Sequence, residues 1–311
     1  MRIKSAVSLV TIAILFSYGL YSWLNLPYRR FPLNNSLPRG SPISGPGVLR
    51  PTYADLAYAD QSPFEKLDLY LPKQPSAAVP LVIWIHGGGL QEGDKRAMPR
   101  HDSKLPNGAN DPRMPYQIQV PDVAALTEKG YAVASLNYRL GWKMLTDAKA
   151  AIQDCKAAVR FLRANAGIYG VAPDKFAVWG NSAGGYVAAM LGVTGDQSTK
   201  FDNAALGYPS VSSEVQAVVV WFGAEDRLPD EELSIAHYIP TAKTLPPFKI
   251  ANGDADPIIS TEQAQRLQDA LAKAGAKSSL TILHGAGHED PLYTKTQMIP
   301  TFEFLDKLFL R

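Results

Sequence analysis

The residue with the clearest chemical potential in this chain is a serine at the centre of Gly180-Asn181-Ser182-Ala183-Gly184. An apolar run precedes this segment and small residues follow it, which is typical of a strand that turns sharply into a helix. The two glycines let strand and helix approach closely, and the strained turn exposes the serine hydroxyl. About 0.1 Gly-x-Ser-x-Gly matches are expected by chance in a chain of 311 residues. Ser182 is therefore a candidate nucleophile whose assignment depends on partners elsewhere in the sequence.

A serine hydroxyl is a poor nucleophile until a base takes its proton, and that base needs a group to orient it. Asp256 and His288 are placed for these two roles, because each follows closely on a predicted strand. The chain order serine, aspartate, histidine is the order found in α/β-hydrolases. We therefore predict that Ser182, Asp256 and His288 are catalytic.

Each of the two partners has a neighbouring alternative. Asp254 could replace Asp256 as the acid, but Asp256 lies deeper in its loop and just before Pro257, so Asp254 is expected to cap or brace the turn. His284 could replace His288 as the base. His284 lies where its strand ends, so we expect it to pack or to make a backbone hydrogen bond, whereas the intervening glycines let His288 swing toward the serine.

The negative oxygen that forms during acyl transfer needs N–H donors held in advance about 2.7–3.1 Å away. The backbone N–H of Ala183, at the start of the helix that follows Ser182, is one predicted donor. Gly87 and Gly88 are the others, because they follow a buried strand and a backbone without Cβ can approach a carbonyl closely. His86 is expected to be structural, with its ring hydrogen-bonded across the loop so that it holds the glycines in place.

The remaining chemistry-bearing residues give no sign of a metal or a cofactor. The only cysteine, Cys155, lies on the apolar side of a helical pattern, which is typical of a buried structural thiol. His101 and His237 are expected to lie in polar loops and to be solvated. No His/Cys/Asp spacing resembles a metal site, and no cofactor is expected. With 31 basic and 29 acidic residues the net charge is +2, which offers no basic field for nucleic acid.

The N-terminal region is typical of a leader followed by a tether. Residues 1–26 contain two basic residues and then an apolar run that is long enough to span a bilayer. We favour an uncleaved signal anchor that inserts residues 5–26 in a membrane, while a cleaved signal peptide and a buried N-terminal helix stay open. Residues 27–51, rich in Pro, Gly, Ser and Asn, indicate a linker. The protein is accordingly expected to be exported, either membrane-anchored or secreted or periplasmic after cleavage, with one folded domain over residues 52–311.

Strands and helices alternate along that domain. The predicted strands are apolar or alternating runs at Lys66–Leu71, Leu81–Ile85, Tyr131–Leu136, Phe176–Trp179, Val215–Trp221, Phe248–Ala251 and Leu280–Leu283. The predicted helices cover Asp147–Asn165, the small-residue segment up to Leu191, Thr261–Gly275 and Thr296–Leu310. The alternation indicates a mostly parallel sheet with helices on both faces, and ligands then bind at the carboxyl ends of the strands.

Three segments of the sequence predict further details of local structure. Lys66–Leu71 alternates polar and apolar residues and stops at Pro72, which is typical of an edge strand. Thr261 is predicted as the N-cap of its helix, and Pro300 is an obstacle near the start of the last helix. Residues 92–121 are polar and without periodicity, so they either form a rim that shapes access to the site or are a decorative insertion.

Six segments resemble, in order, the motifs of α/β-hydrolase-fold carboxylesterases: His86-Gly87-Gly88-Gly89, Asn137-Tyr138-Arg139-Leu140, the helix around Asp154–Ala166, Gly180-Asn181-Ser182-Ala183-Gly184-Gly185, Gly253–Pro257 and Gly285–His288. They look like the hormone-sensitive-lipase-like group, and more closely its branch resembling the bifunctional feruloyl and acetyl-xylan esterases. The similarity covers the chain from about Ala54 to its C terminus. It implies an α/β-hydrolase catalytic domain with about eight strands, the second antiparallel, and a short cap.

The resemblance also has departures. Lipase relatives often carry Asp at the position of Asn181, and Glu225–Pro247 is too short for a large lid domain. Lys95–Pro121 is longer than expected for the feruloyl and acetyl-xylan branch, so that branch's substrates are not transferred to this chain.

The resemblance implies a serine hydrolase that acts on small or short-acyl carboxylic esters through an acyl-enzyme, with the triad and the oxyanion donors given above and no metal. Two alternatives stay open. A serine peptidase or amidase of the same fold would use the same kind of intermediate, and a catalytically silent hydrolase fold would serve as a binding module. The sequence gives no indication of the oligomeric state.

Overall fold

The computed structural model describes residues 50–73, 75, 77–96, 122–141, 144–195, 197–223 and 230–310. All of them belong to one compact unit that extends from Leu49 to Arg311. No helix in these ranges is long and apolar enough to cross a membrane. The predicted leader at 1–26, nearly all of the linker and most of the 92–121 segment, with His101, lie outside the described residues, so the expectations about them stay predictions.

The described residues form one eight-stranded sheet. Its strands are β1 Tyr53–Ala57, β2 Lys66–Tyr70, β3 Val79–Ile85, β4 Ala132–Leu136, β5 Val171–Asn181, β6 Ala217–Trp221, β7 Phe248–Gly253 and β8 Ser278–Leu283. Their order across the sheet is β1-β2-β4-β3-β5-β6-β7-β8. β2 runs antiparallel to both of its neighbours, and the strands from β4 to β8 pair in parallel. The predicted sheet, with eight strands and an antiparallel second strand, is confirmed.

Seven α-helices cover the sheet in the described ranges: α1 Val123–Glu128, α2 Met144–Ala164, α3 Ala166–Tyr169, α4 Ala183–Thr194, α5 Ile235–Tyr238, α6 Thr261–Lys273 and α7 Leu292–Phe309. Two predicted details are wrong. Ser260, in an extended conformation, is the N-cap of α6, so Thr261 is its first helical residue. Pro300 lies inside α7, which starts one turn earlier than predicted because Tyr293 is buried against the sheet together with the later apolar residues of the helix.

The predicted edge strand is an interior strand. β1, which the sequence patterns did not indicate, covers its outer side. Leu67 and Leu69 are buried as the alternation requires, but Asp68 is buried too. Its carboxylate oxygen lies 2.6 Å from the Lys95 Nζ atom, and this partner, 27 positions away, permits a charge inside the sheet.

The core has two layers, one on each face of the sheet. On one face, α2 and α4 pack against the central strands through aliphatic side chains such as Ile83, Val178 and Val220, and α6 packs against β7 and β8. On the other face, α1 and α7 cover a cluster of tryptophans at positions 84, 179 and 221 on β3, β5 and β6. Neighbouring tryptophan rings meet edge to face, with centroids 6.0 and 5.0 Å apart. The central strands are therefore buried on both faces and give a rigid base to the loops at their carboxyl ends.

Candidate active site

The turn from β5 into α4 has the strained geometry that the sequence predicts. Ser182 is the N-cap residue of α4, with φ 50° and ψ −127°, and its side chain makes no capping hydrogen bond. A Cβ atom at Gly180 would lie 2.1 Å from the Gly184 carbonyl oxygen, and one at Gly184 would lie 2.1 Å from the Ile85 carbonyl oxygen. Because only glycine fits at these positions, the turn stays tight and the serine hydroxyl is left free for another partner.

That partner is His288, and behind it lies Asp256. The Nε2 atom of His288 is 2.8 Å from the Ser182 Oγ atom, and its Nδ1 atom is 2.8 Å from the Asp256 Oδ2 atom. A carboxylate only accepts hydrogen bonds, so Nδ1 carries the proton and Nε2 is left to accept the serine proton. The three predicted side chains thus form one continuous hydrogen-bonded line.

Burial and backbone amide groups hold the Asp256 carboxylate, at the end of this line of hydrogen bonds, in place. The Asp256 side chain is fully buried and that of His288 is 12% exposed. The second carboxylate oxygen, Oδ1, accepts hydrogen bonds from the backbone N–H groups of Ile258 and Ile259 at 2.8 and 2.9 Å. These donors orient the carboxylate and supply the polar contacts that a buried charge requires.

The strand order brings the three residues together from distant parts of the chain. Ser182 directly follows β5, while Asp256 and His288 lie on the loops after β7 and β8, and the carboxyl ends of these parallel strands lie at one edge of the sheet. The acid loop and the histidine loop are joined by a hydrogen bond from the Ala255 N–H to the Ala286 carbonyl at 3.1 Å. The geometry of the site is therefore set by the sheet and by contacts between adjacent loops.

The alternative acid and base pair with each other on the surface. The Asp254 carboxylate lies 2.8 Å from His284 Nδ1 and accepts the Gly285 N–H at 2.7 Å. The Gly285 amide and His284 both lower the pKa of Asp254. Asp254 thus braces the turn, as expected. The role expected for His284 is wrong: its side chain is 89% exposed and binds a carboxylate, because β8 is the outermost strand of the sheet.

The predicted oxyanion loop lies directly against the serine turn. A Cβ atom at Gly87 would lie 3.1 Å from the Ser182 Cβ atom. Gly88, at φ 106°, continues a tight turn in which its carbonyl accepts hydrogen bonds from residues 91 and 92. Ala183 starts α4, whose first N–H groups have no partner within the helix. The structure thus brings Gly87 and Ala183 beside the serine, with Gly88 next in the chain.

His86 supports this loop from beneath. Its Nδ1 atom lies 2.7 Å from the Gly87 carbonyl oxygen, and its own carbonyl accepts the Tyr138 hydroxyl proton at 2.7 Å. The two rings stack with centroids 4.4 Å apart. Burial lowers the pKa of His86, which favours the neutral ring, and since a carbonyl oxygen only accepts hydrogen bonds, Nδ1 carries the proton in this contact. Since a peptide bond is planar, fixing the Gly87 carbonyl also fixes the direction of the Gly88 N–H. This agrees with the structural role predicted for His86.

Two contributors to the site were missed by sequence reasoning. The ring of Phe222, at the end of β6, meets the His288 ring edge to face at 4.9 Å. The ammonium group of Lys95 is buried against Asp68 and also lies 2.9 Å from Asp55, which ties the first residues after the oxyanion loop to β1 and β2. A lysine in a polar segment gives no local signal of burial. The only available signal for Phe222 was its place at a strand end between the serine strand and the acid strand.

A sequence model of the BD-FAE family matches residues 67–238. The chain belongs to the BD-FAE family. The match includes the oxyanion loop and Ser182 but ends before Asp256 and His288, which the fold brings to the same place.

Named relatives of this BD-FAE chain are esterases. Esterase LipQ of Mycobacterium tuberculosis is 25% identical over 217 residues, 56% of this chain and 49% of LipQ. The isoprenylcysteine alpha-carbonyl methylesterase of Arabidopsis thaliana is 25% identical over 317 residues, 88% of this chain and 67% of that protein. The matched region therefore spans between half and two thirds of the length of these relatives.

Solved structures extend the similarity to about four fifths of the chain. A truncated carbohydrate esterase from gut microbiota is 26% identical, with a TM-score of 0.65 over 83% of this chain and 96% of that one. A bifunctional GH43-CE protein of Bacteroides eggerthii is also 26% identical, with a TM-score of 0.66 over 82% of this chain and 35% of that one. The α/β-hydrolase fold is confirmed, and the similarity is that expected of a carboxylesterase-type hydrolase.

The other residues singled out in the BD-FAE chain lie outside this arrangement. His237 lies in the short helix α5 and not in the predicted loop, and its side chain is partly exposed, 3.2 Å from a Glu231 carboxylate oxygen. Cys155 is a free buried thiol, and burial raises its pKa well above the usual value. The described part of the cap packs on α4, where the Tyr186 hydroxyl donates to the Leu233 carbonyl at 2.7 Å. No group of three or more His, Cys, Asp or Glu side chains in the described ranges is arranged to hold a metal ion.

Proposed function

We propose that the protein is a serine carboxylic-ester hydrolase that acts on small or short-acyl esters. The observation that carries this proposal is the hydrogen-bonded line from the Ser182 hydroxyl through His288 to Asp256. Membership of the BD-FAE family and the similarity to named esterases support the ester as the substrate class. The acyl and alcohol groups are left to experiment.

In the first half of the reaction, His288 Nε2 takes the Ser182 proton as Oγ attacks the ester carbonyl. The backbone N–H groups of Gly87, Gly88 and Ala183 bind the negative oxygen that forms. The protonated imidazole then gives its proton to the alcohol oxygen as the carbon–oxygen bond breaks. The alcohol leaves, and the acyl group stays bonded to the serine.

In the second half, His288 takes a proton from a water molecule that attacks the acyl-enzyme. Collapse of the intermediate returns the proton to Ser182 and releases the carboxylic acid. Throughout, the buried Asp256 carboxylate keeps His288 in the tautomer that leaves Nε2 free, and stabilises the ring while it is charged. The two amide donors at residues 258 and 259 keep the carboxylate in its orientation.

The direct test compares Ser182→Ala with the parent on p-nitrophenyl acetate, and Ser210→Ala, which changes an exposed serine, is the matched control. We expect Ser182→Ala to lose about 10⁴-fold or more in kcat and the control to keep the parent rate. A panel of longer acyl chains, acetylated and feruloylated sugars and a matched anilide measures substrate preference and tests the amidase alternative. Hydrolysis by Ser182→Ala at the parent rate would contradict the proposal.

As part of this proposal the enzyme is exported and either stays anchored through residues 5–26 or is released after cleavage. The mass of the N-terminal peptide from the membrane and soluble fractions of cells that express the full chain distinguishes these forms. An intact N terminus in the membrane fraction supports the anchor, and a mature N terminus beyond residue 17 supports cleavage. An intact chain in the cytoplasmic fraction would contradict export.

A further inference from the structure

The imidazole of His288 must reach across the sheet to meet its partner. Its loop follows β8, whereas Ser182 follows β5, and three strand spacings of about 4.8 Å separate these strands. The ring therefore lies over the carboxyl ends of β6 and β7. The side chain beneath the imidazole, at the end of β6, therefore determines how firmly the imidazole is held.

Phe222 provides this side chain. It directly follows β6 and is fully buried. Its ring meets the His288 ring edge to face, with centroids 4.9 Å apart and planes at 71°. It also meets the Tyr293 ring, in the first turn of α7, at 4.5 Å. Phe222 thus contacts both the imidazole and the helix that follows the histidine loop.

The backbone at Phe222, which places this ring against His288, is in a strained conformation. Its φ is 39°, a conformation that a bulky aromatic residue rarely adopts. The chain is fixed on both sides: the Phe222 N–H donates to the Ala251 carbonyl at 2.8 Å, and a Cβ at Gly223 would lie 2.4 Å from the Ser182 carbonyl oxygen. Strain of this kind persists where surrounding contacts enforce it, and it concentrates at functional sites.

We infer that Phe222 is a positioning residue that holds the His288 imidazole in line between Ser182 and Asp256 and keeps water from one face of the ring. This inference rests on the proposed function and deepens it. The ring acts through His288 and does not bind substrate, so its loss lowers the rate of proton transfer and leaves substrate binding unchanged. A displacement of the imidazole by about 1 Å is enough to cost about 100-fold in rate.

The test measures kcat, KM and the rate of fluorophosphonate labelling for Phe222→Leu. The matched control is Phe302→Leu, which removes a buried ring that packs on Trp179 on the same face of the sheet. We expect Phe222→Leu to lower kcat and the labelling rate about 10- to 100-fold with KM within about twofold of the parent. The control lowers the melting temperature but keeps kcat per folded molecule.

A second pair of variants separates the ring from the backbone strain. Phe222→Ala and Phe222→Gly both lack the ring, but only glycine adopts φ 39° without strain. We expect the same loss of kcat in both and a higher melting temperature for the glycine variant. Parent kcat in Phe222→Leu or Phe222→Gly overturns the inference. If the parent hydrolyses esters in a Ser182-dependent manner, that result leaves the proposed function intact; a parent that neither hydrolyses ester nor labels overturns both.

Discussion

Burial in the fold favours the neutral form of His86, although its hydrogen bond to the Gly87 carbonyl opposes this effect. Its Nδ1–H donates to the Gly87 carbonyl, its ring stacks on Tyr138, and burial lowers its pKa below the usual value near 6.5. Below about pH 6.5 the unfolded chain binds a proton that the folded chain does not. The contribution of His86 to stability is therefore complete above this pH and declines as the pH falls.

The predicted consequence is that His86→Asn has a smaller pH dependence of the free energy of unfolding than the parent, because the asparagine side chain keeps an N–H donor near the position of Nδ1 but does not titrate. Urea unfolding at pH 7.5 and pH 5.5 measures it. We expect the parent to lose up to about 1.4 kcal/mol more per pH unit than the variant. Equal pH dependence in parent and variant would show that His86 is protonated as readily in the fold as in the unfolded chain.

The residues of the candidate site differ in how well their roles could be predicted from the sequence. Ser182, Asp256 and His288 could be predicted because each has a local signature: a Gly-flanked turn, or an acid or a histidine soon after a strand. Asp256 and His288, which the structure places in line with Ser182, could be preferred over Asp254 and His284 from the sequence: Asp256 by its depth in the loop, and His288 by the glycines that precede it. Phe222 could not be predicted, because its role depends on which strand ends lie between those that carry the triad, and that is a property of the sheet order.

At the scale of elements, the site depends on how closely α4 approaches β3. A Cβ at Gly184 would lie 2.1 Å from the Ile85 carbonyl oxygen and 2.5 Å from that of His86. Both of these atoms belong to the backbone that leads into the oxyanion loop. A side chain at position 184 therefore pushes the serine turn away from the oxyanion donors. The backbone of β3 cannot move aside, because β3 is paired with a strand on each side.

We predict that Gly184→Ala destabilises the fold by about 1–3 kcal/mol, the usual cost of overpacking, and lowers kcat. The control is Gly167→Ala, in the short helix α3, where a Cβ meets nothing within 4 Å. Alanine there is expected to stabilise by up to about 1 kcal/mol. Thermal unfolding and p-nitrophenyl acetate kinetics compare the two, and equal stability of both variants would contradict the close-approach argument.

The ion pair between Lys95 and Asp68 joins the chain after the oxyanion loop to the middle of β2. Both side chains are almost fully buried, and Lys95 also reaches the more exposed Asp55. Because a buried charge without a partner is costly, loss of Lys95 destabilises the buried Asp68 carboxylate, whereas loss of Asp68 leaves Lys95 with Asp55. The same pair explains why β2 resembled an edge strand: its alternation contains a charge whose partner is far away in sequence.

We predict that Lys95→Met lowers the free energy of unfolding by about 3–5 kcal/mol, because it leaves the buried Asp68 carboxylate without a charged partner, and that Asp68→Leu costs less because Lys95 keeps its contact with Asp55. The double variant should recover most of this loss, since apolar groups then pack where the pair was. Urea denaturation of the parent and the three variants completes the cycle. Additive losses in the double variant would mean that the two charges are not coupled in the fold.

At the scale of the molecule, the alternation of strands and helices predicted the parallel sheet, and the resemblance predicted its antiparallel second strand. Strand β1 was missed because its five residues are largely exposed and carry no apolar pattern. The first turn of α7 was missed because Pro300 argues against a helix that extends to its N-terminal side, while burial of Tyr293 and Phe302 favours one. Local propensity was overridden in both cases by packing between distant segments.

The central claim is that distant parts of the chain converge on one hydroxyl and make it a nucleophile. The most direct measurement is the position of a fluorophosphonate adduct, determined by tandem mass spectrometry of the tryptic peptide 176–200, which contains Ser182 and Ser198. The predicted result is an adduct on Ser182 that forms rapidly in the parent and in His284→Ala, and far more slowly in His288→Ala. An adduct on Ser198 or on another peptide, or equal labelling of His288→Ala and the parent, would contradict the account.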